Sequence, residues 1–362
     1  MKILHIVSSM ETGGAQKLIR HLLPELKKNG IDAELLVYHR TGSDIEKEIE
    51  SEIKVHCLDC KNIYNPFIAV RLVPYIRRFD IIHGHLFPVL YHLAVANLIC
   101  KKPLVYTEHS NYNGRRGRKG LRSIESAVYR RYASVVSVSE HVRDELSRWI
   151  GIKNGGPRMD VVWNGLPIET FRKVIQDVST EEFWGRPGVA CLMVSRFDTS
   201  KDHATVIHAI PLIDNKDVFF AFAGDGKTLQ DCIMLAKEIG VIDRCLFLGN
   251  RTDIPRLIAN SHIGIQSSNY EGFGLSAVEI CAIGRPLVAT DVPGLSEIVK
   301  GYSLSFDKGD AKGLANHINR LLDDKSYYEQ VAKRCYQRAN DFDISCTASG
   351  YKKIYCKIIN RN

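Results

Sequence analysis

The chain has 362 residues, of which 45% are hydrophobic and 25% are charged, the composition of an ordinary soluble globular protein. This length exceeds what one hydrophobic core usually serves, so we expect two domains. The ten cysteines do not have the spacing of a disulfide framework. The one close pair, Cys57 and Cys60, lacks the second pair that a zinc site needs. We therefore expect free thiols and a reducing cytosol.

The first half alternates short apolar strands with helical periods. We expect residues 1–8 to form a strand, since their apolar run is too short to be an export signal. Polar side chains interrupt the apolar stretch 81–100, which predicts a strand and a buried helix rather than a membrane span. The predicted strands are 3–7, 33–37, 53–57, 80–83, 104–107, 134–138 and 160–163, and the predicted helices include 15–28, 66–78, 88–99 and 122–131. This alternation predicts a parallel sheet with right-handed crossovers.

A turn signal at residues 164–167 separates the halves, and a polar stretch, 169–188, follows with little core periodicity. The pattern then restarts with predicted strands 189–194, 218–223, 245–248, 263–266, 287–289 and 304–306. We expect an α/β protein with two Rossmann-like, doubly wound domains facing across a cleft, at residues 1–165 and 166–343. Ligands of such sheets bind outside the carboxyl ends of the strands, so we expect the active site in that cleft.

Two carboxylates eight residues apart, Glu271 and Glu279, flank a predicted helix start at Gly274. The free amides of a first helical turn bind anions, so a phosphate bound there would have one carboxylate on each side. That arrangement suits a sugar nucleotide, with Glu271 on the sugar, Glu279 on the ribose and the diphosphate on the intervening amides. The predicted donor-binding residues of this segment are Glu271, Gly272, Phe273, Gly274, Leu275 and Glu279. An ordinary solvated helix start with two surface acids has the same spacing.

Arg196 and Lys201 follow the predicted strand 189–194 and precede a predicted helix, 204–212. They lie at a strand's carboxyl end, where a fork-shaped and a point-like cation suit a diphosphate leaving group. A surface pair of this spacing is common. The presence of Arg196 and Lys201 together with Glu271 and Glu279 favours a diphosphate-binding site.

The net charge of +8 is uneven. Five basic residues cluster within eight positions, namely Arg115, Arg116, Arg118, Lys119 and Arg122. Such a cluster predicts a surface for anionic lipid or phosphate, and we expect a cytoplasmic protein that lies peripherally at the inner face of the cell membrane. No recognised nucleic-acid module accompanies the cluster, so we expect no nucleic-acid partner. A solvated basic face is the alternative.

The chain resembles a retaining glycosyltransferase of family 4, with the GT-B architecture, in the order and spacing of its motifs. These motifs are TGGAQ at 12–16, VYTEH at 105–109, VSE at 138–140, NG at 164–165, SR at 195–196, GDG at 224–226, the segment 271–279, PLVATD at 286–291 and GLSE at 294–297. The resemblance covers roughly residues 1–340. It is strongest to bacterial enzymes of surface polysaccharide assembly.

The resemblance implies further roles. His109 would orient the reacting groups, so the catalytic set becomes His109, Arg196, Lys201 and Glu271. Gly14, in a glycine turn after the first strand, and Asn250 are assigned to the donor. The last helix, in 344–362, would cross back to the first domain. His83 and His85, at another predicted strand end, are further candidates for acceptor contact.

The implied reaction is metal-independent hexosyl transfer without a cofactor, since positive side chains and amides would neutralise the diphosphate. The nucleotide sugar is a substrate, for which we expect UDP, and the acceptor would be a glycan or a polyprenyl-diphosphate-linked glycan. Retention would proceed by front-face displacement.

Other functions stay open at this point. A non-hydrolysing nucleotide-sugar epimerase of GT-B fold would not be expected to carry all four donor-side residues, and a glycan phosphorylase would need a pyridoxal phosphate lysine. The glycines at 13–14 lack the order of a dinucleotide site, which disfavours a dehydrogenase. A catalytically inactive scaffold subunit is the non-enzymatic alternative.

Overall fold

The computed structural model describes residues 1–11, 13–110, 119–151, 156–174 and 179–360. The contacts divide the chain into two compact units. The first unit is Met1–Leu166 together with Ile344–Asn362, and the second is Pro167–Asp343.

Each unit is built on one parallel sheet. The strands of the first unit are β1 (Lys2–Val7), β2 (Asp32–Val37), β3 (Val55–Cys57), β4 (Ile81–His85), β5 (Leu104–Glu108), β6 (Ser134–Ser137) and β7 (Arg158–Val161). Those of the second unit are β8 (Val189–Val194), β9 (Val218–Ala223), β10 (Cys245–Gly249), β11 (Ile263–Gln266), β12 (Leu287–Thr290) and β13 (Leu304–Phe306). The predicted α/β fold class is confirmed.

Helices follow most strands. The first unit contains α1 (Gly14–Lys28), α2 (Asp44–Glu50), α3 (Ile68–Ile76), α4 (Val89–Cys100), α5 (Lys119–Tyr129) and α6 (Glu140–Ile150). The second contains α7 (Ile168–Arg172), α8 (Thr180–Trp184), α9 (His203–Ala209), α10 (Leu229–Glu238), α11 (Ile254–Ala259), α12 (Leu275–Ile283), α13 (Ser296–Val299), α14 (Ala311–Asp323) and α15 (Lys325–Ala339). The last helix, α16 (Ile344–Ile359), belongs to the first unit.

The sheet of the first unit is buried on both faces, as all-parallel sheets are. Side chains alternate along β1, so Ile3 and Val7 enter one core with α1 and α16. Leu4 and Ile6 enter the other, with α3, α4 and α6. Every residue of β1 from Ile3 to Val7 is buried, which explains why its sequence is a continuous run rather than an apolar–polar alternation.

The strand order of each sheet defines a switch point. The first sheet runs β3-β2-β1-β4-β5-β6-β7 and the second runs β10-β9-β8-β11-β12-β13. Chain progression therefore reverses between β1 and β4, and again between β8 and β11. The loops that leave the carboxyl ends of these neighbouring strands diverge, and ligands of doubly wound sheets bind there.

Some predicted boundaries are wrong for identifiable reasons. The predicted helix 204–212 ends at Ala209, because Pro211 has no amide to continue it and the chain tightens into a 3₁₀ turn at Ile210–Leu212. β4 extends to His85, two residues beyond the predicted end. The polar stretch 169–188 contains the short helices α7 and α8, of which α8 buries no residue.

All ten cysteines are free thiols, as the sequence predicts. Within the described part of the chain, every helix is too short or too polar to cross a bilayer.

Candidate active site

The loops after β8 and β9 lie against each other beside the switch point of the second unit. Gly224 has φ +147°, and a Cβ there would be 1.9 Å from the carbonyl oxygen of Ser195. Gly226 has φ +151°, and its Cβ would be 2.2 Å from the carbonyl oxygen of Phe197. Both the dihedral angles and the space require glycine. The two glycines thus hold the loop that carries Arg196.

A cluster of polar side chains surrounds Lys201 and Glu271. The Lys201 ammonium donates to Glu271 Oε2, and their side chains are only 13% and 15% exposed. The same carboxylate oxygen accepts from Ser268 Oγ at 3.3 Å and from Gln266 Nε2 at 3.4 Å. An isolated antiparallel bridge between Lys201 and Ser268 joins the two loops. Lys201 and Glu271 are therefore an ion pair that is largely removed from water.

Arg196 lies in a different environment. Its side chain is 74% exposed, and Nη2 is 3.1 Å from Oδ2 of Asp198. Burial would raise the pKa of Asp198, but hydrogen bonds from Ser200 and the nearby Arg196 and Lys201 charges hold that pKa below its usual value. Asp198 is thus an anion at neutral pH that orients the exposed Arg196 guanidinium, which leaves most of the Arg196 donors accessible to a ligand.

The start of α12 depends on two glycines. Gly274 is the N-cap residue with φ +94°, and it provides no side-chain cap for the first amides of the helix. Gly294 has φ +87°, and a Cβ there would be 2.1 Å from the carbonyl oxygen of Glu271. Glu279 lies in the second turn of α12, as predicted, and is 2% exposed. Phe273 is also buried, so the chain between the two carboxylates is a packed turn.

The first unit carries His109 directly after β5. Its Nε2 is 3.2 Å from Nδ1 of His85, and burial lowers its pKa to about 4. Gly14 is the exposed first residue of α1, and Gly13 before it is extended at φ −171°. The glycine turn therefore begins α1 at the switch point beside β1.

Two sequence profiles match the chain. The profile described as Glycosyltransferase Family 4 matches residues 12–170, and that described as Glycosyl transferases group 1 matches residues 187–339. Together they span most of the chain. The chain is a family 4 glycosyltransferase.

Individual relatives agree with this assignment. A Campylobacter jejuni α-1,4-N-acetyl-D-galactosaminyltransferase, named for a diphosphoundecaprenol-linked glycan, is 23% identical over 99% of each chain. Glycogen synthase of Mycobacterium tuberculosis is 25% identical over 77% of this chain and 69% of its own length. The crystal structure of Anabaena HepE in complex with UDP-glucose superimposes with a TM-score of 0.87 at 22% identity, covering 99% of this chain and 100% of HepE. The predicted GT-B fold is confirmed.

The other predicted site residues of the glycosyltransferase have varied positions. Asn250 directly follows β10 and is exposed. Arg122 is exposed on α5 and donates through Nη2 to the carbonyl oxygen of Arg148 at 3.4 Å. The rest of the basic cluster, namely Arg115, Arg116, Arg118 and the Lys119 side chain, lies outside the described residues.

The expectation that His83 and His85 contact an acceptor is not supported by their positions. Both lie inside β4 and are fully buried, because β4 runs two residues further than predicted. Together with His5 of β1 they form a cluster of possible metal ligands among the described residues. One ring nitrogen from each of the three histidines lies within 4.8 Å of the other two. All six ring nitrogens already have hydrogen-bond partners, so these residues do not fit a metal ion.

Sequence reasoning missed the residues that support the site. Gln266 and Ser268 are fully buried beside Glu271, and His5 is buried in an apolar strand. A polar Gln-Ser-Ser run at the end of an apolar strand, and a histidine inside one, are the signals that could have identified them. Buried polar side chains of this kind need partners, so each predicts a local network.

Proposed function

We propose that the protein is a retaining glycosyltransferase that moves a hexose from a UDP-sugar to a lipid-linked or oligosaccharide acceptor in bacterial cell-surface polysaccharide synthesis. The observation that carries this proposal is the shielded Lys201–Glu271 pair with Arg196 nearby, at the switch point of the second unit. Preorganised charges next to exposed hydrogen-bond donors suit a reaction in which negative charge grows on a leaving diphosphate.

Donor binding would engage three groups. Arg196 and Lys201 neutralise the diphosphate, helped by the uncapped amides of α12, and Glu271 accepts hydrogen bonds from sugar hydroxyls. Glu271 also fixes the Lys201 ammonium, so the cation is in place before the substrate arrives. Glu279, buried on α12, is assigned to the ribose.

The transfer step breaks the bond between the anomeric carbon and the diphosphate oxygen. The acceptor hydroxyl oxygen bonds to the same face of that carbon, and its proton passes to the departing diphosphate. No protein nucleophile is required, so Glu271 acts through hydrogen bonds and charge. The positive side chains replace a divalent cation as the counter-charge of the leaving group.

The donor and acceptor are proposed from relatives. HepE was crystallised with UDP-glucose, which supports a uridine diphosphate sugar here. The Campylobacter relative acts on a glycan attached to diphosphoundecaprenol, which supports a polyprenyl-diphosphate-linked acceptor. No cofactor is part of this proposal.

A membrane-facing surface would serve such an acceptor. Two neighbouring helices of the first unit expose large apolar side chains, with Val70 of α3 at 63% exposure and Leu98 and Ile99 of α4 at 54% and 58%. Phe67, just before α3, is 70% exposed. α4 is apolar on its solvent face as well as its core face, which is typical of an interaction site. Arg122 on α5 adds positive charge, which attracts anionic lipid headgroups.

Donor hydrolysis by wild type and single variants tests the catalytic proposal. Replacing Arg196 or Lys201 with Ala should reduce turnover about a hundredfold or more, because each removes a donor to the developing charge. Lys237→Ala is the matched control, since Lys237 is an exposed residue of α10. Near-normal turnover by folded Arg196→Ala and Lys201→Ala proteins would contradict the proposal.

Chelation separates this architecture from a metal-dependent one. Activity should persist in excess EDTA, because the counter-charge is covalently part of the protein. Loss of activity that manganese or magnesium restores would show that a cation holds the diphosphate.

Vesicle sedimentation tests the membrane surface in two arms. Changing Arg115, Arg116, Arg118, Lys119 and Arg122 to Gln should weaken binding to anionic vesicles and reduce its salt dependence, at about 1 kcal/mol for each charge near the surface. Changing Phe67, Val70, Leu98 and Ile99 to Ser should weaken binding at every salt concentration. Donor hydrolysis should be unchanged in both arms. Equal sedimentation of all three proteins would favour a soluble acceptor.

A GT-B epimerase and an inactive scaffold predict different assays. An epimerase would interconvert nucleotide sugars without releasing UDP, and a scaffold would do neither. Release of UDP coupled to glycan extension would support glycosyl transfer and neither of the two alternatives.

A further inference from the structure

Seven side chains of the first unit form one continuous hydrogen-bonded chain. It runs from His109 Nε2 to His85 Nδ1 (3.2 Å), and from His85 Nε2 to His5 Nδ1 (3.0 Å). His5 Nε2 lies 3.4 Å from the Tyr355 hydroxyl, which lies 2.6 Å from His83 Nδ1. The chain ends with His83 Nε2 to Thr107 Oγ1 (2.7 Å) and Thr107 Oγ1 to the Tyr351 hydroxyl (3.0 Å).

The sheet register and the last helix bring these groups together. His5 and His83 are register partners on β1 and β4, and His85 and Thr107 are partners on β4 and β5. Tyr351 and Tyr355 lie one turn apart on α16 and belong to the apolar core on this face. Except for His109, which is half-buried, every member is fully buried. Each must therefore satisfy its polar atoms within the chain.

Counting protons restricts the direction of donation near His109. Each neutral imidazole and each hydroxyl carries one proton, and each of the six contacts needs one. An imidazole between two neighbours has one proton for its two nitrogens, so it must donate to one neighbour and accept from the other. A hydroxyl oxygen has two lone pairs and can accept from both neighbours, so the direction can change only at Tyr355 or Thr107. A reversal at a histidine would leave one buried contact with two protons or with none, which is strongly unfavourable. His109, His85 and His5 therefore all donate in the same direction.

His109, His85 and His5 are oriented head to tail, so the two directions are distinct tautomers. When donation runs away from His109, these three histidines are protonated on Nε2 and His109 Nδ1 is a bare lone pair. When it runs toward His109, all four histidines are protonated on Nδ1. His109 Nδ1 has no hydrogen-bond partner among the described residues, so the second direction buries an unpaired N–H on a fixed ring. The first leaves the extra proton on a hydroxyl of Tyr355, Thr107 or Tyr351, which can rotate.

We propose that His5, His85 and Tyr355 are positioning residues that hold His109 in its Nε2–H tautomer, so that Nδ1 is presented as a hydrogen-bond acceptor for a substrate hydroxyl. The tautomer follows from the hydrogen-bonded chain alone, whereas its catalytic use rests on the proposed glycosyl transfer. Burial supports the count of protons, because it lowers the pKa of His5 to about 3 and that of His109 to about 4. Burial also lowers the pKa values of His83 and His85 well below the usual value.

The test is long-range ¹H–¹⁵N correlation spectroscopy of the full-length protein labelled with ¹⁵N-histidine, which distinguishes protonated from bare ring nitrogens. In wild type, His109, His85 and His5 should be protonated on Nε2. Finding any of these three as the Nδ1–H tautomer would overturn the proposal, even if no variant folds. Stoichiometric zinc whose removal changes the His5, His83 and His85 signals would overturn it as well.

Two matched variants test the coupling. Tyr355→Phe interrupts the chain between His5 and His83, so His109 should shift toward the Nδ1–H tautomer although it lies three hydrogen bonds away. Tyr351→Phe alters the same helix and removes the same hydroxyl group, but only at the far end of the chain, so His109 should not change. An unchanged His109 in folded Tyr355→Phe protein would overturn the proposal.

Kinetics gives a separate readout. Tyr355→Phe should lower kcat about tenfold with little change in the donor KM, since the loss of one hydrogen bond to a substrate hydroxyl in the transition state reduces the rate by about that factor. Tyr351→Phe should retain wild-type kcat. If wild type shows no transfer but the spectra agree, the proposed function fails and the tautomer assignment stands. If the tautomer shifts but kcat does not, the positioning role is wrong.

Discussion

Removing one charge of the Lys201–Glu271 pair should cost nearly as much stability as removing both. Both side chains are largely shielded from water, at 13% and 15% exposure. Removing one partner of a buried ion pair costs about 3 kcal/mol or more, because the remaining charge is left uncompensated. We therefore expect Lys201→Met and Glu271→Gln each to destabilise the second unit by about 3 kcal/mol.

The double variant should recover much of this loss. Independent effects would sum to about 6 kcal/mol, but methionine and glutamine leave no unpaired charge, so we expect about 3 kcal/mol or less. Ser268 and Gln266 can still hydrogen-bond to the new amide. All three variants should lose donor hydrolysis about a hundredfold or more.

Hydrogen exchange measured on peptides from β8 and β11 gives the free energy of opening for the second unit alone, which avoids assuming two-state unfolding of the whole chain. The exposed Arg251–Asp253 pair, with side chains 42% and 31% exposed, is the control, and Asp253→Asn should cost no more than about 1 kcal/mol. Strictly additive losses at Lys201 and Glu271 would refute the coupling, and an active double variant would refute the catalytic role.

Two further predictions concern backbone strain and pH. Gly294→Ala should destabilise the protein by about 1–3 kcal/mol and impair turnover by moving Glu271, because the new Cβ would be 2.1 Å from the Glu271 carbonyl oxygen. Gly309 also has positive φ but open space around it, so Gly309→Ala should lower stability and leave turnover unchanged. Unfolding and donor-hydrolysis assays of the two variants check both outcomes. His5, His83 and His85 bind protons less readily when folded, so stability should fall as pH drops below about 6.5, by about 1 kcal/mol for each at pH 5.5. Pulsed hydrogen exchange should show the first unit opening before the second on acidification, and simultaneous opening would contradict this assignment.

Strands were more predictable than helices. The bounds of β8, β9, β11 and β13 match the prediction, because buried parallel strands are short apolar runs bounded by polar turns. The short helix α11 was missed, since six residues give too little periodicity to recognise.

The positions of the candidate site residues were predictable where a local pattern reports them. Arg196, Lys201, Glu271 and Glu279 lie close to turns and helix starts, which short motifs describe well. The hydrogen-bonded chain was not, because it depends on register between strands and on contacts between His83 and Tyr355, 272 positions apart. Burial of His85 was also missed, because it depends on where β4 ends.

A crystal structure with an intact UDP-sugar would test the central claim most directly. We predict the diphosphate within hydrogen-bonding distance of Arg196 and Lys201 and of the first amides of α12, a sugar hydroxyl on Glu271, and the ribose on Glu279. A donor bound away from the switch point between β8 and β11, or a diphosphate held by a metal ion in place of Arg196 and Lys201, would contradict the account.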